Sequence, residues 1–116
     1  MFLADTSVWI DYFRKANTAF SSKVKDGFIF THEFIILELA AGSIPKRSQT
    51  LKDIDILEKS NVLDSKTILE FIEIHNLYSK GLSMVDIHLI ASALDSNLEL
   101  ITLDKKLKYY WNKIKK

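Results

Sequence analysis

A chain of 116 residues that is 47% apolar has room for one hydrophobic core and is expected to form a single domain over residues 1–116. Its 16 lysines and arginines nearly balance 15 aspartates and glutamates, so net charge selects no class of partner; the lack of cysteine excludes disulfides, thiolate metal sites and cysteine nucleophiles. No basic leader precedes the first apolar residues and no run of about 18 apolar residues occurs, which sets the expectation of a soluble, unexported, cytoplasmic protein with no membrane partner.

Phe2 to Ala4 reads as a strand that ends abruptly at Asp5, and Thr6 to about Lys15 as a helix with Trp9, Ile10 and Phe13 on its buried stripe. Asn17 can cap a second short helix through Phe20 and Val24, which Gly27 ends. Phe28-Ile29-Phe30 is a second strand, with Thr31 placed to cap a helix from about His32 to Ala41 that stops at Gly42. This helix is apolar on nearly every face and is expected to be largely buried, which makes Glu38 its odd residue: a buried carboxylate needs a partner.

The segment from Gly42 to Arg47, with the one proline at 45, is the clearest loop. Lys46 to Lys59 reads as an amphipathic helix with Leu51, Ile54 and Leu57 inward. Asn61 to Asp64 is a candidate third strand, and Ser65 to about Lys80 a helix stopped by Gly81. Ser83-Met84-Val85-Asp86 then opens a helix with Leu89, Ile90, Ala93 and Leu94 on its apolar stripe, closed by Asn97. Glu99 to Thr102 is the last strand, and after Leu103-Asp104 a helical stretch runs from Lys105 to Lys116. Short strands alternating with helices predict an α/β/α sandwich around a short parallel sheet of four to five strands.

Three acids, Asp5, Asp86 and Asp104, stand where a helix begins, and for each the simple explanation is an N-cap. A parallel sheet changes the weighing. Asp5 and Asp104 then follow strands on one side of the sheet, Asp86 starts a helix at a loop opening on that side, and Glu38 can lean over the same crevice, where open α/β sheets bind ligands. Two carboxylates about 4 Å apart repel by roughly 4 kcal/mol at an effective dielectric of 20, so such a cluster needs protons or cations. Oxygen ligands without histidine or cysteine in metal-like spacing suit Mg²⁺ or Mn²⁺, and such ions can direct water in-line onto a phosphodiester.

The residues Leu-Ala-Asp5-Thr-Ser-Val-Trp, Leu-Glu38-Leu-Ala-Ala-Gly42, Leu-Ser-Met-Val-Asp86-Ile-His-Leu-Ile-Ala-Ser-Ala and Ile-Thr102-Leu-Asp104 together resemble the PIN-domain ribonucleases, specifically the VapC toxins of toxin–antitoxin pairs. The likeness spans Leu3 to about Leu107. It implies one PIN domain over the whole chain and a Mg²⁺- or Mn²⁺-dependent endoribonuclease that leaves 5′-phosphate and 3′-hydroxyl ends. Asp5, Glu38, Asp86 and Asp104 would form its acidic site, with Asp5 and Asp86 foremost as metal ligands and Thr6, Ser7 and Thr102 as supporting hydroxyls. The resemblance further implies an RNA substrate, with tRNA and rRNA as candidates, a homodimer and a cognate VapB-type antitoxin. The chain departs from the family's pattern between Ser43 and Asp53 and after Asp104, where Lys105-Lys106-Leu107 replaces the aromatic of relatives.

Two further features carry rival readings. The tail from Lys105 holds six lysines among Tyr109, Tyr110 and Trp111, either an RNA-holding surface or a packed amphipathic helix with solvated lysines; Lys46 and Arg47 form a smaller patch. A histidine pair acting as base and acid would cut RNA without metal, but nothing in the sequence brings two of His32, His75 and His88 together. The alternative from another class is a catalytically silent PIN-like module that binds RNA or protein, its acids serving as caps. An acyl-phosphate phosphotransferase is disfavoured because Ser7 stands where such sites often place a second aspartate.

Overall fold

A computed structural model describes residues 1–115. Its elements are β1 (Phe2–Ala4), α1 (Thr6–Lys15), α2 (Thr18–Lys25), β2 (Ile29–Phe30), α3 (Glu33–Ala41), α4 (Arg47–Asp55), α5 (Ser65–His75), α6 (Met84–Asp95), β3 (Glu99–Ile101) and α7 (Lys105–Ile114). The strands form a parallel sheet in the order β2-β1-β3, with Phe2 opposite both Ile29 and Glu99. Asp5 extends the central ladder by one bond, its N–H donating to the Ile101 carbonyl at 3.1 Å.

The sheet therefore has three strands, fewer than the four to five expected. The segment expected as a further strand, Asn61 to Asp64, does not pair. Pairing occurs earlier, where Thr31 N–H donates to the Glu58 carbonyl and Ser60 N–H donates to the Thr31 carbonyl, leaving a single parallel bridge between Thr31 and Lys59. The Asn61 carbonyl instead accepts from Ser92 Oγ at 2.7 Å, which ties this segment to α6. Right-handed crossovers running outward from β1 to β2 and on to that bridge place α1 to α4 on one face, and the return to β3 places α5 and α6 on the other. Contacts of α1 with α3, α3 with α4 and α5 with α6 follow this layering.

Leu3 and Ala4 of β1 are fully buried and join Trp9, Phe20, Ile35, Leu39, Leu89, Ile90, Leu100, Leu107 and Trp111 in the main core. A smaller cluster of Ile68, Leu77, Ile87 and Ala91 fastens α5 to α6. On α1, Trp9 is buried while Ile10, expected inward, is 42% exposed: the stripe turned to the core is Trp9, Tyr12 and Phe13, about one turn apart and packed together, and Ile10 falls outside it.

Several element boundaries move for reasons of capping. His32, not Thr31, caps α3: its Nδ1 accepts from Phe34 N–H at 3.0 Å, while Thr31 is used by the bridge. The helix expected over Lys46 to Lys59 is α4, starting after Lys46 and ending at Asp55, because the chain must turn to deliver residues 58–60 to Thr31. α5 stops at His75 rather than near Lys80, since Asn76 takes the left-handed conformation (φ 52°) and its N–H caps the preceding turn. The last helix ends at Ile114, and Lys116 lies outside the described residues. No helix among the described residues is long and apolar enough to cross a membrane.

Candidate active site

The end of the central strand delivers Asp5 into the start of α1, and hydroxyl groups from two elements fix its side chain. Oδ1 accepts from the N–H groups of Ser7 and Val8 and from Ser7 Oγ; Oδ2 accepts from Thr102 Oγ1 at 2.7 Å. Those hydroxyls are themselves held, Ser7 Oγ by Leu103 N–H at 2.9 Å and Thr102 Oγ1 by Asp104 N–H at 3.0 Å. The result is a closed frame that stitches the C-terminal end of β3 to the beginning of α1. Asp5 is 6% exposed, and burial raises its pKa although the bonds from Ser7 and Thr102 pull the other way. A carboxylate in that state is poorly compensated by its neighbours alone.

The other three acids sit differently. Glu38 is exposed on α3, contrary to the expectation of a largely buried helix: Ile35 and Leu39 are its buried residues and Leu37 is 61% exposed, because α3 has only one face against the core. Glu38 Oε1 accepts from Thr6 Oγ1 at 2.6 Å, which brings this acid to the residue adjoining Asp5. Asp104 caps α7 through Oδ1, which accepts from Leu107 N–H at 3.1 Å, and meets the Asp5 frame through its own N–H on Thr102. Asp86 forms a reciprocal capping box with Ser83: Asp86 N–H donates to Ser83 Oγ at 3.0 Å, and Ser83 N–H donates to Asp86 Oδ2 at 3.2 Å. Its hydrogen bonds are with its own helix start.

Thus Asp5, Asp86 and Asp104 each cap a helix and each leave acceptor capacity. Asp86 Oδ1, Asp104 Oδ2 and Glu38 Oε2 take no part in any hydrogen bond among the described residues. Among these residues no three acids or histidines lie close enough together to enclose a metal ion unaided. A hard cation of the Mg²⁺ type does not demand such a cage, for it commonly keeps several waters and takes one or two carboxylates plus substrate phosphate. The all-oxygen donor set suits that chemistry.

The histidines also differ from expectation. His32 and His88 come together around Phe34, whose ring lies edge-on to both, at 5.1 and 4.7 Å between centres. They do not form an acid–base pair open to substrate. His32 is fully buried, and burial, aided by repulsion from His88, lowers its pKa to about 4. The signal available in the sequence was the position of His32 directly after a strand, where an imidazole nitrogen can replace a cap oxygen.

A PIN domain family model matches residues 2–111. The chain belongs to the PIN family. Within it the chain is of VapC type: it is 36% identical over 109 residues to Ribonuclease VapC32 from two strains of Mycobacterium tuberculosis, an alignment covering 93% of this chain and 88% of the relative. The crystal structure of PAE2754 from Pyrobaculum aerophilum superposes with a TM-score of 0.66 at 18% identity, covering 94% of this chain and 84% of that one, and so supports the fold. In this PIN domain the strand-end carboxylate Asp5 is the most buried of the four acids; Glu38 and Asp104 reach its neighbours Thr6 and Thr102, while Asp86 bonds within its own helix start.

Proposed function

We propose that this PIN domain is a Mg²⁺- or Mn²⁺-dependent endoribonuclease, the toxin of a VapBC-type pair, acting in the cytoplasm on structured RNA and held in check by a VapB-type antitoxin. The observation that carries the reading is Asp5: a carboxylate buried at the C-terminal end of the central strand, its rotamer locked by Ser7 and Thr102, in a chain similar to a ribonuclease. Asp5 and Asp86 are the residues to hold the ion, with Glu38 and Asp104 receiving its water ligands or a second ion. Bound there, the ion would supply charge neutralisation for the phosphate and lower the pKa of a bound water. Ser7, Thr102 and Thr6 keep Asp5 and Glu38 in place, so that little reorganisation is needed when substrate arrives. The free oxygens of Asp86, Asp104 and Glu38 are acceptors that can orient a water and take its proton. In this reading the protein acts as a homodimer, the form the resemblance implies.

The capping roles of Asp5, Asp86 and Asp104 favour a second reading, a silent module that binds RNA or protein through a PIN scaffold. Cleavage of a structured RNA separates the two. Wild type with Mn²⁺ is expected to produce 5′-phosphate ends, while EDTA or Asp5→Asn reduces the rate by a factor on the order of 10² or more. Equal, chelator-insensitive products from both proteins would remove the metal mechanism.

A further inference from the structure

The lysine-rich last helix is left unused by the acidic site, and its geometry gives it a distinct role. Lys106, Tyr110 and Lys113 recur at i, i+4 and i+7, one stripe of α7, and that stripe faces the connection between α5 and α6. At one end the ammonium of Lys106 lies against Gly81, so close that a Cβ built there would be 2.6 Å from Nζ. At the other, Tyr110 and Lys113 line a cleft of about 420 Å³ with His75, Asn76 and Lys80. No carboxylate of the described residues lines it. Lys80, Lys106 and Lys113 have no acidic partner among the described residues, whereas Lys15, Lys59 and Lys115 do.

Helix stability does not account for the stripe. A lysine in the last turn suits the helix dipole, but Lys106 stands in the first turn, at the positive end, where cations are disfavoured. Beside the stripe, Tyr109 is 59% exposed, with its ring perpendicular to Tyr110 at 5.0 Å and Lys113 Nζ 6.0 Å from its centre. An acidic peptide would be served by lysines alone. Lysines at intervals, interleaved with an open aromatic face, match a single strand whose phosphates need countercharge and whose bases need a surface to stack on. The stripe begins two residues after Asp104, the N-cap of α7.

We propose that the groove between α7 and the α5–α6 connection is a binding track for single-stranded RNA, with Lys80, Lys106 and Lys113 on the phosphates and Tyr109 under a base. It rests on the ribonuclease reading only for the identity of the nucleic acid. The test is fluorescence anisotropy of a labelled 12-nucleotide single-stranded RNA across a salt series, in an Asp5→Asn background that prevents cutting. Removing two phosphate contacts with Lys106→Ala/Lys113→Ala should weaken binding roughly tenfold and reduce the slope of log K against log salt by about 1.4. Tyr109→Ala should weaken binding roughly tenfold with the slope unchanged.

Circular dichroism and melting establish that each variant folds, and Lys106→Gln/Lys113→Gln repeats the charge removal with longer side chains. A control pair on α2, Lys23→Ala/Lys25→Ala, should change the slope little. Equal slopes in wild type and groove variants, or an equal loss in the α2 control, overturn the proposal. So does intact RNA binding with loss of polyglutamate binding, which would assign the groove to an acidic protein. A protein that cuts no RNA with Mn²⁺ but shows the groove-dependent slope would fail the nuclease reading and keep the track; cutting without that slope would do the reverse.

Discussion

At the scale of single residues, the frame around Asp5 and the buried His32 show two ways a polar group survives inside this domain. Asp5 is held, and only partly compensated, by hydroxyls that are themselves hydrogen-bonded, whereas His32 is kept neutral, with Nδ1 accepting at the head of α3 and Nε2 buried without a partner among the described residues. The His32 pKa of about 4 lies below the ordinary 6.5, so between those values the unfolded chain binds the additional proton. Its contribution to stability is therefore full above about pH 6.5 and is lost as the pH falls through about 4. The size is at most about 3 kcal/mol. Urea unfolding at pH 7 and pH 5 should show the wild type losing stability toward acid, and His32→Asn, which retains a cap acceptor, losing distinctly less. An unchanged difference between the two pH values in His32→Asn would contradict this account of the residue.

At the scale of elements, the helix starts that cap with Asp5, Asp86 and Asp104 are the same places that the proposed metal site would use. The capping box that begins α6 occupies Oδ2 of Asp86 and so sets the direction of Oδ1. Ser83→Ala removes one half of that box and should cost about 1 kcal/mol, measured by chemical denaturation. It should also lower the rate of RNA cleavage, since Asp86 loses the bond on its own N–H that orders the turn; a variant destabilised as expected but fully active would mean that the box serves folding alone. Such overlap is the reason that sequence alone does not divide cap from ligand at Asp5, Asp86 and Asp104. Capping chemistry and metal chemistry select the same residue in the same place, and a sequence records the place. The exposure of Glu38 was hidden for another reason: apolar residues surround it on α3, yet Leu37 points outward with it, and hydropathy alone does not say which side of so apolar a helix meets the core.

For the whole molecule, the order of strands and helices was readable because each change of period is punctuated by a cap or a glycine, and the parallel layering follows from short strands joined through helices. The strand number was not, because pairing near Thr31 is decided by where α4 releases the chain, and the apolar residues Val62 and Leu63 advertise a strand that the tether from Asn61 to Ser92 prevents. The acids give the assembled fold its last testable property. An ion that binds only when the end of β1, the start of α6 and the start of α7 are in place must stabilise the folded state by linkage, about 2.7 kcal/mol at a free concentration 100 times the dissociation constant. For a chain of this size that corresponds to a rise of roughly 10 °C in melting temperature. Millimolar Mn²⁺ should therefore raise the wild-type Tm by several degrees and leave Asp5→Asn/Asp86→Asn unmoved. Each shift is read against the protein's own metal-free Tm, because Asp5→Asn keeps an acceptor for Ser7 and Val8 and removes the buried charge but cannot accept from Thr102 Oγ1. If Mn²⁺ shifts both proteins equally, the ion binds elsewhere; if it shifts neither, the acids are caps and the chain works by holding its partner rather than by cutting it.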